Sequence, residues 1–216
     1  MIKLPFVDRP NRSVYLAFSG GVDSVVLLHI LIKRGFDVTL LNINHLNQWS
    51  DVEKNFTVKT SEQYNIPAIY KSIEPRSSES KTSLESYWST QRNKIFQSMD
   101  KMVLTGHHLD DAVEWYLMST MTGTVKILSA RNNNVFRPMI INTKERILEV
   151  AKESNLSYLT DPTNDDVNFN LRNNVRKNLV PSVKQCFPGV YTTVRRLVVQ
   201  KYKENLSHEE DRKTPF

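Results

Sequence analysis

The chain has 216 residues and a formal net charge of +6, enough for one sizeable domain with a helical tail and a balance that fits a polyanionic partner such as RNA. Cys186 is its single cysteine, which excludes an intrachain disulfide and any CxxC metal or redox site. Pro5, Asp8, Arg9 and Pro10 break up the N-terminal stretch, so it does not read as a signal peptide, and no apolar run is long enough to span a bilayer; a soluble cytoplasmic protein is expected.

In chain order, the apolar run Val14–Phe18 reads as a buried strand, followed by a helix to about Arg34 and a second strand over Val38–Asn44. A helix over Asp51 to about Tyr64 and a short strand over Ala68–Ser72 come next, then a polar, serine-rich loop from Pro75 to Ser83. Ser83 to Met99 reads as helix, Lys101–Gly106 as strand and Asp110–Met121 as helix. This βαβα rhythm predicts an α/β fold, a Rossmann-like parallel sheet with helices on both faces and sites at the carboxyl ends of its strands. After Gly123 the pattern changes: a turn at Arg131–Asn134, an extended piece at Val135–Phe136 and a helix at Lys144–Asn155. Helical patterns over about Phe169–Asn178 and Gly189–Asn205 form a C-terminal helical extension, with a frayed tail expected from Ser207. A catalytic domain over residues 1–160 and a helical extension over 161–216 packed on it are expected. The stripe Val194, Leu197, Val198 and Tyr202 belongs to the core or to a docking face.

The segment Ser19-Gly-Gly-Val-Asp-Ser24 stands where a strand turns into a helix, the arrangement that aims backbone N–H groups and the positive helix end at a phosphate. Gly20 and Gly21 leave room for phosphate oxygens, and the Ser19 and Ser24 hydroxyls can donate to them. Asp23 would repel a phosphate directly but suits Mg²⁺, which is held by carboxylates together with phosphate oxygens. The bland alternative is a tight turn with an Asp/Ser helix cap. Neither G-x-x-x-x-G-K-[ST] nor G-x-G-x-x-G occurs, which argues against a γ-phosphate-gripping lysine and a dinucleotide redox enzyme. The hexapeptide resembles the pyrophosphate-binding loop of the N-type ATP pyrophosphatases, which cleave ATP between the α- and β-phosphates.

A second motif, Gly106-His-His-Leu-Asp-Asp-Ala-Val-Glu114, also follows a strand and opens a helix. Asp110 and Glu114 share a helix face, and Asp111 lies within neighbour distance of Glu114. Two imidazoles and up to three carboxylates would face the phosphate loop. The bland reading is an acidic first helical turn. The neighbouring histidines point apart, so joint ligation of one metal ion is not expected.

With both motifs in order, the chain resembles the tRNA(Ile)-lysidine synthetases. Asn44-His45, Arg137-Pro-Met-Ile140, Asp161-Pro-Thr-Asn164, Phe169-x-x-Arg172-Asn-x-Val-Arg176 and Leu179-Val-Pro181 are similar to further segments of that family, so the likeness covers about residues 12–181. The resemblance implies ATP as substrate, Mg²⁺ held by Asp23 and one of Asp110 and Asp111 (Asp111 foremost), and ligation of L-lysine to an anticodon cytidine of an isoleucine tRNA through an adenylated intermediate. Residues Ser19–Ser24 (Ser19, Gly20, Gly21, Val22, Asp23, Ser24) would bind ATP. Asp111 or Glu114 would hold the amine, His107 would meet the α-phosphate, and Arg92 would stabilise charge or read cytosine. Arg92 has an equally ordinary reading as a solvent-facing ion pair. RNA contacts are implied at Arg137, Arg172, Asn173 and Arg176; Arg172 and Arg176 share a helix face whose plain alternative is a solvated surface. A dimer is favoured.

Departures from the pattern are Ser89, Asn93, Trp115 and Thr122, where the family tends to carry arginine, tyrosine or threonine. No room remains after Pro181 for the RNA-binding domains of the larger members, so a short form is expected. Rival readings are a tRNA cytidine thiolase, disfavoured by the single cysteine, an amidotransferase or NAD-type synthetase, and a tRNA- or nucleotide-binding descendant without catalysis.

Overall fold

The computed structural model describes residues 2, 4, 13–77, 82–160 and 171–211. The family-like segment Asp161–Asn164, Phe169, the N-terminal Pro5–Pro10 and part of the serine-rich loop lie outside them. β1 (Ser13–Ala17), β2 (Asp37–Asn44) and β3 (Ala68–Ser72) form a parallel ladder, and β4 (Val103–Leu104) joins the other side of β1. β5 (Arg131–Asn132) and β6 (Val135–Phe136) make a hairpin around Asn133, whose φ of 52° suits asparagine. β6 runs parallel to β4, and the sheet order is β3-β2-β1-β4-β6-β5. The expected α/β fold with a mostly parallel sheet is therefore present. β5 is a strand where only a turn was expected, because a two-residue strand carries no periodicity to read.

β1 is flanked by β2 and β4, so the chain reverses its direction of travel across the sheet at β1. A crevice opens outside the carboxyl ends of strands at such a point. α1 (Val22–Lys33) and α5 (Lys144–Glu153) share one apolar core with the sheet, including Leu16, Val26, Leu27, Leu31, Leu40 and Ile147. α2 (Ser50–Tyr64) and α3 (Leu84–Gln97) complete the N-terminal half; the Ser83 hydroxyl caps α3 by accepting the Ser86 N–H.

α4 (Leu109–Met121) packs against α8 (Val190–Asp211) through Leu109, Val113, Leu117, Val194 and Val198. The stripe on α8 is therefore core: Val194 and Val198 are fully buried, and Tyr202 meets Phe136. The helix expected over Phe169–Asn178 is instead α6 (Leu171–Asn174), a π-helical turn (Val175–Leu179) and α7 (Val180–Cys186). Pro181 accounts for the widening. It has no N–H to offer the preceding turn, and its ring crowds the carbonyl four residues earlier. Among the described residues no helix is long and apolar enough to cross a membrane.

Candidate active site

The phosphate loop leaves β1 at Phe18, and Gly20 takes a φ of 76° that L side chains rarely adopt. A Cβ on Gly20 would meet Phe56 of α2 at 2.8 Å and Leu159 at 2.9 Å. The Leu159 N–H also donates to the Gly20 carbonyl, so the loop is clamped from both sides. Gly21 is the extended N-cap of α1, which begins at Val22, so Asp23 and Ser24 stand inside the first helical turn rather than ahead of it. Ser24 Oγ donates to the Gly21 carbonyl at 2.9 Å, and Ser19 Oγ accepts the Gly21 N–H at 3.4 Å. Val22 sends its side chain into the core. It can offer a ligand only backbone, at a helix end whose first N–H groups lack intrahelical partners.

The second motif leaves β4 alongside this loop. At Gly106 a Cβ would lie 3.1 Å from the Asp23 backbone carbon and 3.2 Å from the Ser24 nitrogen. Glycine is thus what lets the two loops touch. A cavity of about 330 Å³ opens between them. Its floor includes Ala17, Leu41, Ile43 and Phe96, and its polar rim includes Ser19, Asp23, Arg92, His107, Asp111 and Arg172. An apolar floor under a charged rim suits a nucleotide. His45, at the end of β2, also lines it and meets the edge of Trp88.

The two histidines behave oppositely. His107 lines the cavity with Nδ1 2.8 Å from the Thr105 hydroxyl. Burial pushes its pKa down to about 3, with Arg137, Arg172 and Arg92 adding to the effect against the pull of Asp111. It is neutral and can give a phosphate at most one N–H. His108 is buried beneath the carboxylates instead of facing ATP, which corrects the expected pair of imidazoles. Its Nε2 lies 3.6 Å from Asp23 and 3.5 Å from Asp111, and its Nδ1 lies 3.5 Å from Asp110. Burial opposes its charge, but Asp111, Asp110 and Asp23 together hold its pKa above the usual value.

The three carboxylates of α4 also separate. Asp110 does not join Glu114. It turns to α5, accepting the Lys144 backbone N–H at 2.7 Å and the Tyr191 hydroxyl at 2.9 Å. A carboxylate at the positive end of α5 is well placed there and has no reason to face the cavity. Asp111 accepts the His108 backbone N–H at 2.8 Å, and Asp111 and Glu114 converge on two arginines. Arg172 reaches Asp111 at 2.5 Å and Glu114 at 2.8 Å, while Arg176 reaches Glu114 at 2.6 Å. Burial raises the Asp111 pKa, but His108 and Arg172 outweigh it and hold the carboxyl well below its usual range. Arg172 and Arg176 are thus anchored on buried carboxylates, while 31% and 39% of their side chains stay exposed. Arg137 is turned inward, donating to the Ser129 carbonyl at 2.9 Å, with burial pulling its pKa to about 10. Asn173 is buried as well. Neither presents the surface expected of an RNA contact.

Lys144 went unread in the sequence except as a helix start. Its Nζ lies 2.6 Å from Asp23 Oδ1, on the rim of the phosphate loop. The signal was present: lysine at the first position of a helix opposes the dipole, so its place needs another reason. Tyr191 was also missed, because nothing local in α8 announces a partner in α4.

Asp23 and Asp111 sit on one cavity wall, within reach of the same imidazole, and hard carboxylate oxygens are what Mg²⁺ requires. Among the described residues no group of three or more His, Cys, Asp or Glu side chains is arranged to hold a metal ion alone. An ion shared by the pair would complete its shell with phosphate oxygens and water, and would have to compete with Lys144 on Asp23 and with Arg172 on Asp111.

A switch-point sheet, a clamped glycine loop and an acidic helix start facing it define a nucleotide-binding α/β protein, and the chain belongs to the PP-loop family, whose domain matches residues 1–183. It is 30% identical over 205 residues to a tRNA(Ile)-lysidine synthase of Persephonella marina, covering 87% of this chain and 45% of that protein. A tRNA(Ile)-lysidine synthase of Haemophilus ducreyi is 31% identical over 203 residues, covering 88% and 46%. The chain thus spans less than half the length of these relatives. Among solved structures it is similar to NMN synthetase from Francisella tularensis, 23% identical with a TM-score of 0.47, over 68% of this chain and 63% of that one.

Proposed function

We propose that the protein is an ATP-dependent tRNA-modifying ligase of the tRNA(Ile)-lysidine synthetase type, joining L-lysine to C2 of an anticodon cytidine. The observation that carries this reading is that Asp23, from the phosphate loop, and Asp111, from the acidic helix, line one cavity and lie 3.6 and 3.5 Å from the same His108 Nε2. Likeness to the lysidine synthases over most of the chain supports the choice of substrate.

The chemistry runs in two steps. Cytosine O2 attacks the α-phosphate of ATP and expels pyrophosphate, which leaves C2 carrying an adenylate leaving group. The lysine ε-amine then attacks C2, and AMP departs with the oxygen. Backbone N–H groups at the start of α1 and the Lys144 ammonium stabilise the charge that builds on pyrophosphate. Asp23 and Asp111 would hold Mg²⁺, which would neutralise phosphate charge. His107, held neutral, donates a hydrogen bond rather than a charge. Arg92, on the rim, meets the reacting phosphate or the base.

Lysine's ammonium has a solution pKa of about 10.4 and must lose a proton before it attacks. Asp111 and Glu114 are the carboxylates placed to hold it and assist that loss. The test is incubation with ATP, Mg²⁺ and bulk tRNA, with and without lysine, followed by mass analysis of the nucleosides. A cytidine gaining the mass of lysine less water supports the reading. Unchanged nucleosides, or sulfur incorporation, refute it.

A further inference from the structure

Asp111 and Glu114 are 7% and 2% exposed, and their charge is matched by the two guanidiniums of Arg172 and Arg176. Both Glu114 oxygens and Asp111 Oδ1 accept guanidinium N–H groups, and Asp111 Oδ2 accepts the His108 backbone. An ammonium arriving at this pair finds each of the four oxygens already engaged and a net charge already near zero. It can be seated only if a guanidinium withdraws. Arg172 is the one able to do so into the site, because it lines the nucleotide cavity together with Asp111.

Guanidinium has two good bidentate partners, carboxylate and phosphate, and can exchange one for the other. Such an exchange keeps the books of charge level, since a phosphate takes the guanidinium while the ammonium takes its place on the carboxylates. The carrier element suits movement. α6 is only four residues long and runs directly into the π-helical turn that contains Arg176, and π-turns are less regular than the helix around them.

We propose that Arg172, supported by Arg176, is a latch on the amine site, drawn off by an RNA backbone phosphate, so that the amine enters only when RNA is in place. The latch rests on the reading of Asp111 and Glu114 as the amine's seat. It couples the two substrates through one side chain and leaves the amine site closed in the RNA-free enzyme.

The test is calorimetric titration of L-lysine, and separately of n-butylamine, into the whole protein alone, with the ATP analogue AMPCPP, and with AMPCPP plus tRNA. Lysine affinity should rise about 5- to 150-fold in the state with RNA. R172Q should bind lysine without RNA nearly as tightly as the parent does with it. Equal lysine affinity in all three states of the parent protein overturns the latch, and this comparison stands even if R172Q does not fold. A full rise with AMPCPP alone overturns the assignment to an RNA phosphate. If n-butylamine shows the RNA dependence while lysine binds in no state, the latch survives and the lysine reading falls.

Discussion

The Lys144 ammonium lies 2.6 Å from the Asp23 carboxylate, although 121 residues of chain separate them. Asp110 fixes this geometry by capping the first residue of α5, and Tyr191 holds Asp110 from α8. The C-terminal helices therefore help to set the position of a cation at the phosphate loop. Lys144→Ala should lower the rate of pyrophosphate release by about 10²–10³-fold, as loss of one preorganised charge donor does. Its side chain is partly exposed, so the fold should be spared. Pyrophosphate release at the parent rate in the folded variant removes Lys144 from the mechanism.

Asp23→Asn and Asp111→Asn are both expected to abolish ATP chemistry, but only the first should leave stability unchanged. The Asp23 side chain is 31% exposed, whereas Asp111 is 9% exposed and tied to Arg172, His108 and Arg176. Removing one partner from a buried ionic network typically costs about 3–5 kcal/mol. Urea unfolding of the two variants should separate them; equal midpoints contradict the network described.

Charge reversal at Arg176 carries a related expectation. Arg176→Glu would set a carboxylate against Glu114, which is 2% exposed, and should also destabilise the protein by about 3–5 kcal/mol. An Arg176→Glu protein as stable as the parent would show that the arginine does not pair with Glu114 in solution.

The adjacent glycines of the phosphate loop separate a folding role from a binding role. Gly20→Ala places a Cβ at φ 76° and 2.8 Å from Phe56, so it should lower stability by about 1–3 kcal/mol. At Gly21 a Cβ would meet only Ser19 Oγ, at 3.5 Å. Gly21→Ala should therefore fold normally and yet bind AMPCPP more weakly, because the methyl occupies the space a phosphate oxygen needs. Unimpaired nucleotide binding by Gly21→Ala would move the phosphate away from this loop.

The motifs and their order were legible because each combines a local backbone demand with a chemical type: glycines at a strand end, carboxylates at a helix start. The parallel sheet followed from the alternation of apolar runs. What the sequence did not show were contacts across the fold. Arg172 and Arg176 share a face by spacing, but spacing could not tell that this face reaches the buried Glu114. Asp110 and Asp111 are neighbours in sequence, and only the approach of α5 and α8 turns one to the start of α5 and leaves the other to the cavity. The π-helical turn was hidden because its cause, Pro181, lies beyond the residues it widens.

Acid sensitivity should follow the histidines. Burial, helped by Arg92, holds His45 at about 4 and, with nearby arginines, His107 at about 3, against 6.5 in the unfolded chain. The unfolded state binds more protons between pH 6.5 and 4. The stability these groups contribute is thus fully present above pH 6.5 and lost as pH falls, at up to about 1.4 kcal/mol per pH unit for each. His108 has the opposite sign: its contribution is present below pH 6.5 and fades as pH rises through its raised value. His45→Asn should flatten the acid limb of a stability–pH curve between pH 6.5 and 4. An unchanged limb would show that His45 is not held neutral.

In the proposed function, the phosphate loop and the acidic helix act as one site on ATP and RNA, with the amine entering second. The most direct measurement follows α-labelled ATP with tRNA in the absence of lysine, then after lysine is added. Pyrophosphate should be released and label should accumulate on RNA, followed by release of labelled AMP when lysine arrives. Label that never reaches RNA, or AMP released at the same rate with and without lysine, would contradict the proposed function.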